Sequence, residues 1–307
     1  MVAEHSIPAV DFTRRNTRII PFDFEYYEPR TLDEALELLS KYREDAKVLA
    51  GGTDLLVKMK IRLIEPKVLI NIKKIPGLSY IVEEGDVIRI GALTKLIDIE
   101  KSVLVRKHLP ALHDAVLAMG SVQVRNMATI GGNLCNASPA ADTAPPLLVH
   151  EASVKLVSKR GIRVVSLEEF FEGPGRTIME PDEILIEVLA KKRGRGASAF
   201  KKVSRVAVDI SIASSAVYVV VENDVIKEAR IALGSVAPRP LRARKTENSI
   251  VGLSIGSREL REALILLDEE ISPITDVRST AEYRRYIAKV LTWDALNAAY
   301  ERLTKGW

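Results

Sequence analysis

Two diglycine segments, Ala50-Gly51-Gly52-Thr53-Asp54 and Thr129-Ile130-Gly131-Gly132-Asn133, constrain this chain more than any other feature. Glycine lets the backbone turn sharply and lets N–H groups approach an anion with no Cβ in the way. The first pair lies between a short strand over 47–50 and a helical start at Thr53, where free N–H groups and the helix dipole favour a phosphate. A second buried strand over 68–72 completes a β-turn-α-β order, which predicts a small parallel sheet. Two such loops from distant parts of the sequence would grip the two phosphates of one pyrophosphate from either side. Each Gly-Gly also reads as a plain turn, and the residues alone leave these readings balanced. Other phosphate loops fit badly. A P-loop needs Lys-Ser or Lys-Thr after its last glycine, and here Thr53-Asp54-Leu55-Leu56 follows; G-x-G-x-x-G is absent from both segments.

Elsewhere the chain reads as α+β. Thr31-Leu32-Asp33-Glu34 opens a helix as a capping box, with Leu32, Ala35, Leu36 and Leu39 on its buried face. From Tyr80 the texture changes to a hairpin over 80–90, then a helix from Pro110 through Met119, a Gly-rich segment over 129–146 and a hairpin over 154–165 that turns at Lys159-Arg160-Gly161. One more strand spans 184–190. Lys191-Lys192-Arg193-Gly194-Arg195-Gly196 is polar, charged and glycine-rich, and reads as a solvated hinge or, alternatively, an anion site. Beyond it, strands at 198–203, 212–221 and 225–233 form a meander turning at Glu222-Asn223-Asp224. Two helices, over about 257–269 and 280–304, close the chain. The last has Ser279 or Thr280 as cap and Tyr283, Ile287, Val290 and Leu291 on one face.

Bulk properties narrow the function. A net charge of +4 is spread along the chain and aromatics are 5%, so neither a basic stripe nor stacking residues for nucleic acid are present. No apolar run reaches the roughly 18–20 residues of a membrane span. Arg14-Arg15 is followed by Ile19-Ile20-Pro21-Phe22-Asp23 rather than an apolar stretch, so the expected location is cytoplasmic. The one cysteine, Cys135, excludes an internal disulfide and a self-contained iron–sulfur cluster. His5, His108, His113 and His150 show no metal-site spacing.

Longer stretches carry a family resemblance. Ala-Gly-Gly-Thr-Asp-Leu-Leu (50–56) and, about 75 residues later, Thr-Ile-Gly-Gly-Asn-Leu-Cys-Asn-Ala-Ser-Pro-Ala-Ala-Asp (129–142) resemble the flavin subunit of the xanthine dehydrogenase and aerobic carbon monoxide dehydrogenase family. The segments Pro21-Phe22-Asp23-Phe24-Glu25-Tyr26-Tyr27, Ala199-Phe200-Lys201-Lys202, Ile231-Ala232-Leu233-Gly234-Ser235-Val236-Ala237 and Asp276-Val277-Arg278-Ser279-Thr280 extend the likeness, in register, from about residue 21 to 305. Thr53-Asp54 departs from the His-Ser of the carbon monoxide branch, and the extra cysteines of the hydroxybenzoyl-CoA reductase branch are absent.

The resemblance implies an α+β chain with a two-subdomain FAD-binding fold of the vanillyl-alcohol-oxidase/PCMH type, plus a C-terminal antiparallel sheet with packed helices. Residues 1–20 are polar and read as an N-terminal arm, and with 191–196 as the domain boundary the FAD-binding domain takes 21–195 (subdomains about 21–75 and 76–195) and the C-terminal flavoprotein domain 196–307. The resemblance further implies an oxidoreductase subunit of a molybdenum hydroxylase complex. A large molybdopterin-binding subunit oxidises substrate, a small subunit with two [2Fe–2S] clusters relays electrons to this FAD, and an external acceptor (NAD, a quinone, ferredoxin or oxygen) removes them. Purine, aldehyde, carbon monoxide and aromatic acid substrates are all compatible, since nothing in this chain touches the substrate. Free-standing flavin reductases and non-catalytic nucleotide-binding modules are the rival classes. Carried over by position, Val48, Leu49, Ala50, Gly51, Gly52, Thr53, Asp54 and Leu55 wrap the pyrophosphate, and Thr129, Ile130, Gly131, Gly132 and Asn133 form the second clamp. Asp142, Met119, Leu185 and Lys201 match further cofactor contacts. Asp142 has capping of the helix near Pro145 as an equal reading, and Lys201 reads equally as a solvated strand residue. Cys135 reads as a small buried thiol, His150 as structural, and no side chain is assigned as acid, base or nucleophile.

Overall fold

The structure, a computed structural model, describes residues 20–305, so the expected arm lies outside the described residues except for Ile20. Three parallel strands open the fold: β1 (Glu25–Tyr27), β2 (Ala46–Leu49) and β3 (Val68–Asn71), in the order β1-β3-β2. Helix α1 (Leu32–Tyr42) links the first two. Its cap differs in one detail from a capping box: Glu34 N–H donates to Thr31 Oγ1 at 3.2 Å, but Glu34 Oε2 accepts from Arg30 N–H at 2.8 Å rather than from Thr31. Ala35, Leu36 and Leu39 are buried as the spacing predicts, while Leu32 is half-buried. Helix α2 (Leu55–Lys60) links β2 to β3; it begins two residues later than Thr53 and is six residues long.

The second body is a five-stranded antiparallel sheet. Its strands are β4 (Ile81–Glu84), β5 (Val87–Gly91), β6 (Ser153–Ser158), β7 (Gly161–Ser166) and β10 (Ile184–Lys191), in the order β4-β5-β10-β6-β7. The short hairpin of β8 (Phe171–Gly173) and β9 (Arg176–Thr177) stands apart from it. Helices α3 (Leu96–Lys101), α4 (Val103–His108), α5 (Pro110–Leu117), α6 (Val122–Met127), α7 (Ile130–Cys135) and α8 (Ala144–Val149) fill the segment between β5 and β6. The third body is a meander of β11 (Ala197–Val203), β12 (Ala213–Glu222), β13 (Val225–Gly234) and β14 (Leu241–Arg242), its β12–β13 turn using left-handed Asn223 and Asp224.

The expected helix over 257–269 is three pieces, Arg258–Ala263, a 3₁₀ turn over Leu264–Leu266 and Leu267–Glu270, capped by Ser257. The final helix, Ala281–Lys305, is capped by Thr280, whose Oγ1 accepts from Tyr283 N–H at 3.2 Å. Its buried face holds Arg284, Ile287, Ala288 and Leu291; Tyr283 is exposed, contrary to the periodicity reading. Arg284 occupies the inner face because its two Nη groups donate to Ile212 O, Ser235 O and Asp276, although its Nε finds no partner among the described residues.

The bodies share cores. Leu93, Val157 and Ile184 of the second join the cluster under the parallel sheet, and Phe200, Ala216, Tyr218 and Ala232 of the third pack with Leu147 and Leu148 of α8. The 191–196 segment is exposed at Lys191, Gly194 and Arg195, as a solvated stretch should be, but it is pinned at Arg193. Arg193 donates to Glu151 and Glu228 and lies over the Tyr218 ring, so its charge is met by the protein's own carboxylates. A Cβ at Gly196 would stand 2.3 Å from Val219 O, which explains that glycine by close approach.

A buried relay crosses the same junction. Lys191 O can only accept, so His150 Nδ1 carries a hydrogen and donates to it at 3.1 Å. Neutral Nε2 then accepts from Ser198 Oγ at 2.9 Å, and Ser198 Oγ accepts from Ala111 N–H at 3.1 Å. Burial pushes the His150 imidazole down to about 4. The unfolded chain takes up a proton on His150 below about 6.5, whereas the folded chain refuses it until about 4. The stability this residue contributes is therefore complete above about 6.5 and lost as pH falls towards 4. Urea unfolding should show His150→Gln less stable than wild type at pH 7.5, with the gap narrowing steadily from 6.5 to 4.5. A gap independent of pH would refute the neutral-imidazole assignment.

Candidate functional site

The carboxyl end of β2 runs directly into the first glycine loop, and a cleft of about 900 Å³ opens there. This is where ligands bind in open parallel sheets, and the volume lies near the top of the roughly 300–1,000 Å³ usual for small-molecule sites. One wall is Val48, Ala50, Gly51, Gly52, Thr53, Asp54 and Leu55, with Lys58 behind them; the facing wall is Thr129, Gly132, Asn133, Cys135 and Asn136. A third wall comes from 172–183, including Glu172, Arg176, Thr177, Met179 and Glu183.

The two glycine pairs do different things. Among the described residues, the N–H groups of Gly51, Gly52, Thr53, Asp54 and Leu55 donate to no protein acceptor. Gly52 sits at φ +78°, a left-handed conformation that costs a side chain strain and that turns successive N–H groups into one concavity. Helix α2 is too short for its dipole to matter beyond this loop, so the donors themselves are the feature. At the second pair the donors are consumed. Ile130 N–H goes to Thr94 O (3.0 Å), Gly131 N–H to Ala92 O (3.0 Å), Gly132 N–H to Thr129 Oγ1 (3.2 Å) and Asn133 N–H to Thr129 O (3.0 Å). Gly131-Gly132 is thus no bend but the first turn of α7, N-capped by Thr129, and a main-chain clamp there is corrected. That wall offers the cleft side chains and a thin surface instead.

The glycines have separate causes. A Cβ at Gly51 would stand 2.3 Å from Met127 O, and one at Gly131 would stand 2.8 Å from Ala92 Cβ and 2.9 Å from Ala92 O. Both are fixed by packing of one chain segment on another. At Gly132 the nearest atom would be Thr129 Oγ1 at 2.9 Å, then Ala50 Cβ at 3.9 Å.

Seven expected site residues lie off the cleft lining. Leu49 packs with Met59 and Leu69, Ile130 is fully buried, and Gly131 abuts Ala92. Leu185 is core on β10, Lys201 is exposed on β11, and the Met119 carbonyl accepts from Arg125. Asp142 neither caps nor lines: the N-cap position belongs to Thr143, while the buried Asp142 carboxylate accepts from Lys202 Nζ at 2.8 Å and from Ser211 Oγ. Burial raises its pKa, opposed by the Lys202 ammonium. The Cys135 thiol is pushed up to about 12 by burial, lies 3.6 Å from the Met179 sulfur and stays protonated at neutral pH. The wall over 172–183, Lys58 and Asn136 were missed by sequence reasoning. Gly173-Pro174-Gly175 marked a turn there, but nothing local said that it faced Gly52.

Residues 22–189 match the family model for the FAD binding domain in molybdopterin dehydrogenase, and residues 198–299 match that for the CO dehydrogenase flavoprotein C-terminal domain. The chain is 32% identical over 275 residues to the glyceraldehyde dehydrogenase medium chain of Sulfolobus acidocaldarius, covering 90% of this chain and 98% of that one. It is 34% identical over 285 residues to the carbon monoxide dehydrogenase medium chain of Hydrogenophaga pseudoflava, covering 92% and 99%. A chain of the solved Cu,Mo-CO dehydrogenase in its cyanide-inactivated form superposes with a TM-score of 0.90 at 32% identity, over 92% of this chain and 100% of that one.

The glycine geometry predicts an order of damage that needs no ligand to test. Gly51→Ala and Gly131→Ala force backbone apart and should each lower unfolding stability by about 2–4 kcal/mol, whereas Gly132→Ala should stay within about 1 kcal/mol. Denaturant unfolding of the three variants measures this; equal losses at 131 and 132 would contradict it.

Proposed function

The chain belongs to the family of FAD-binding subunits of molybdopterin dehydrogenases, and from that premise we propose how it works. It holds FAD in the cleft, receives electrons from a [2Fe–2S] partner subunit and hands them to an external acceptor. The observation supporting this placement is the run of five undonated N–H groups over Gly51–Leu55, facing a cleft large enough for a dinucleotide. These residues are half-buried or exposed along the cleft, and consecutive donors turned into one concavity fit a ligand rich in acceptor oxygens. The diphosphate of FAD is that ligand. Opposite it, Thr129, Asn133 and Asn136 present hydroxyl and amide groups, and Gly132 against Ala50 keeps the gap thin. Asn133 Oδ1 already accepts from Thr143 Oγ1 at 2.6 Å, which leaves its NH₂ to donate into the cleft.

FAD, when bound, supplies the exchange between one-electron and two-electron carriers that no side chain offers. The chain's own part is to bind and orient it and to limit water. Met119, Asp142, Leu185 and Lys201 carry no part of this reading. Residues 21–195 are assigned to cofactor binding and 196–307 to the C-terminal flavoprotein domain. The complex is completed by a large molybdopterin subunit and a small [2Fe–2S] subunit, in keeping with the medium-chain names of both relatives. Those relatives are named for different substrates at nearly equal identity, so the substrate belongs to the molybdenum partner.

Co-expressed with its partner chains, the tagged protein should purify with iron, molybdenum and about one flavin per copy, and flavin absorbance should bleach with substrate and return with acceptor. In the same complex Gly52→Val should lower flavin occupancy at least about tenfold while iron and molybdenum stay, because a β-branched residue is strained at φ +78°. A colourless wild-type complex, or full occupancy in Gly52→Val, would overturn the cofactor placement.

A further inference from the structure

The cleft attracts an anion by local rather than overall charge. Its lining carries Glu44, Asp54, Glu172, Glu180 and Glu183 against Arg43, Lys47, Lys58 and Arg176. Glu183 is paired with Arg163 at 2.7 Å and Lys73 Nζ donates to Ala50 O at 3.3 Å, so the charges around the loop come close to balance and a diphosphate entering here gains little from the lining as a whole. The loop N–H groups supply dipoles only, and Asp54 adds a negative charge within that same loop. A cation held close to the loop donors would strengthen their hold on two phosphates.

The four cations are not equivalent. Arg43, Lys47 and Arg176 are exposed, and Arg43 and Arg176 stand 3.9 and 3.6 Å from Asp182 and Glu172. Lys58 alone is half-buried, and its ammonium has no carboxylate partner among the described residues. Nζ instead donates to the neutral amide oxygen of Asn136, 78 positions away on the opposite wall, at 2.5 Å. It therefore spans the gap between the two walls. Helix α2 places it there: Lys58 N–H donates to Asp54 O at 2.9 Å, which puts the residue one turn behind the free donors. An ammonium so held has two further hydrogens, and exchanging a neutral amide for a phosphate oxygen strengthens its bond.

We propose that Lys58 is the charge-neutralising ligand of the diphosphate, held across the cleft by Asn136 and turned onto the phosphate when FAD enters. The inference rests on FAD occupying this cleft. Together with the loop N–H groups, it makes the site selective for flavin carrying a diphosphate over flavin without phosphate.

The full-length chain, stripped of flavin and titrated by fluorescence quenching, tests this with two probes, FAD and riboflavin, at low and high salt. Lys58→Gln keeps a donor for Asn136 but removes the charge, and should weaken FAD about tenfold to a hundredfold. It should also flatten the salt dependence of FAD binding and leave riboflavin affinity within about threefold. Lys58→Arg, which keeps the charge, should recover most of the loss. If Lys58→Gln binds FAD as wild type does, with the same salt dependence, the assignment of Lys58 fails while the cleft stands. Equal losses for FAD and riboflavin would make Lys58 a structural residue and also sink the proposal. If the wild-type chain binds FAD with no salt dependence and no preference over riboflavin, the diphosphate is elsewhere and both readings fall.

Discussion

Five consecutive backbone donors left without a protein acceptor at the end of a parallel strand are the constraint on which this structure turns. A strand ladder satisfies β2 up to Leu49, and the left-handed turn at Gly52 then carries the next N–H groups out of reach of any carbonyl. Open to the cleft, these donors are free to meet water or a ligand that brings acceptor oxygens. The loop cannot relax to recover them, because Gly51 is pressed against the Met127–Ala128 backbone from the other side. The open loop is thus the consequence of a packing requirement, and the cleft and the core are one piece of construction.

The facing wall solves the opposite problem. Thr129 caps α7 and its neighbours spend their N–H groups on Thr94 and Ala92, so this segment is locked to the antiparallel sheet and contributes shape and amide side chains. A rigid wall opposite a donor-rich loop gives orientation without asking both sides to remain unsatisfied. The third body is bound as firmly. Asp114 of α5 accepts from Phe200 N–H at 3.1 Å and from Arg302 of the last helix at 2.7 Å, and the His150–Ser198 contact lies beside it. Junctions of this kind, buried and hydrogen-bonded, fix the relative placement of the sheets better than apolar contact alone.

Much of the local structure was legible. Glycine turns between apolar runs gave the hairpins at 80–90 and 154–165, Thr31 and the Ser279-Thr280 pair announced their helices, and β-turn-α-β gave the parallel sheet. Those signals act between near neighbours, so they survive without a tertiary structure. The family likeness went further, since it fixed the cofactor class from the spelling of residues 50–56 and 129–142. The inward face of the last helix misled because Arg284, a charge, is buried by partners at 212, 235 and 276 that periodicity cannot see.

The sequence by itself determined the elements, the two glycine pairs and the kind of subunit this chain is. Only the tertiary structure decided which glycines serve the cleft and which serve packing, because Gly51 and Gly131 answer to Met127 and Ala92, residues far along the chain. It also decided that 172–183 closes the site and that Lys58 reaches Asn136. The physical reason is the same throughout. Turn and cap preferences are set by a few adjacent bonds, whereas the use of an N–H group or an ammonium depends on which distant acceptor the packing brings within 3 Å.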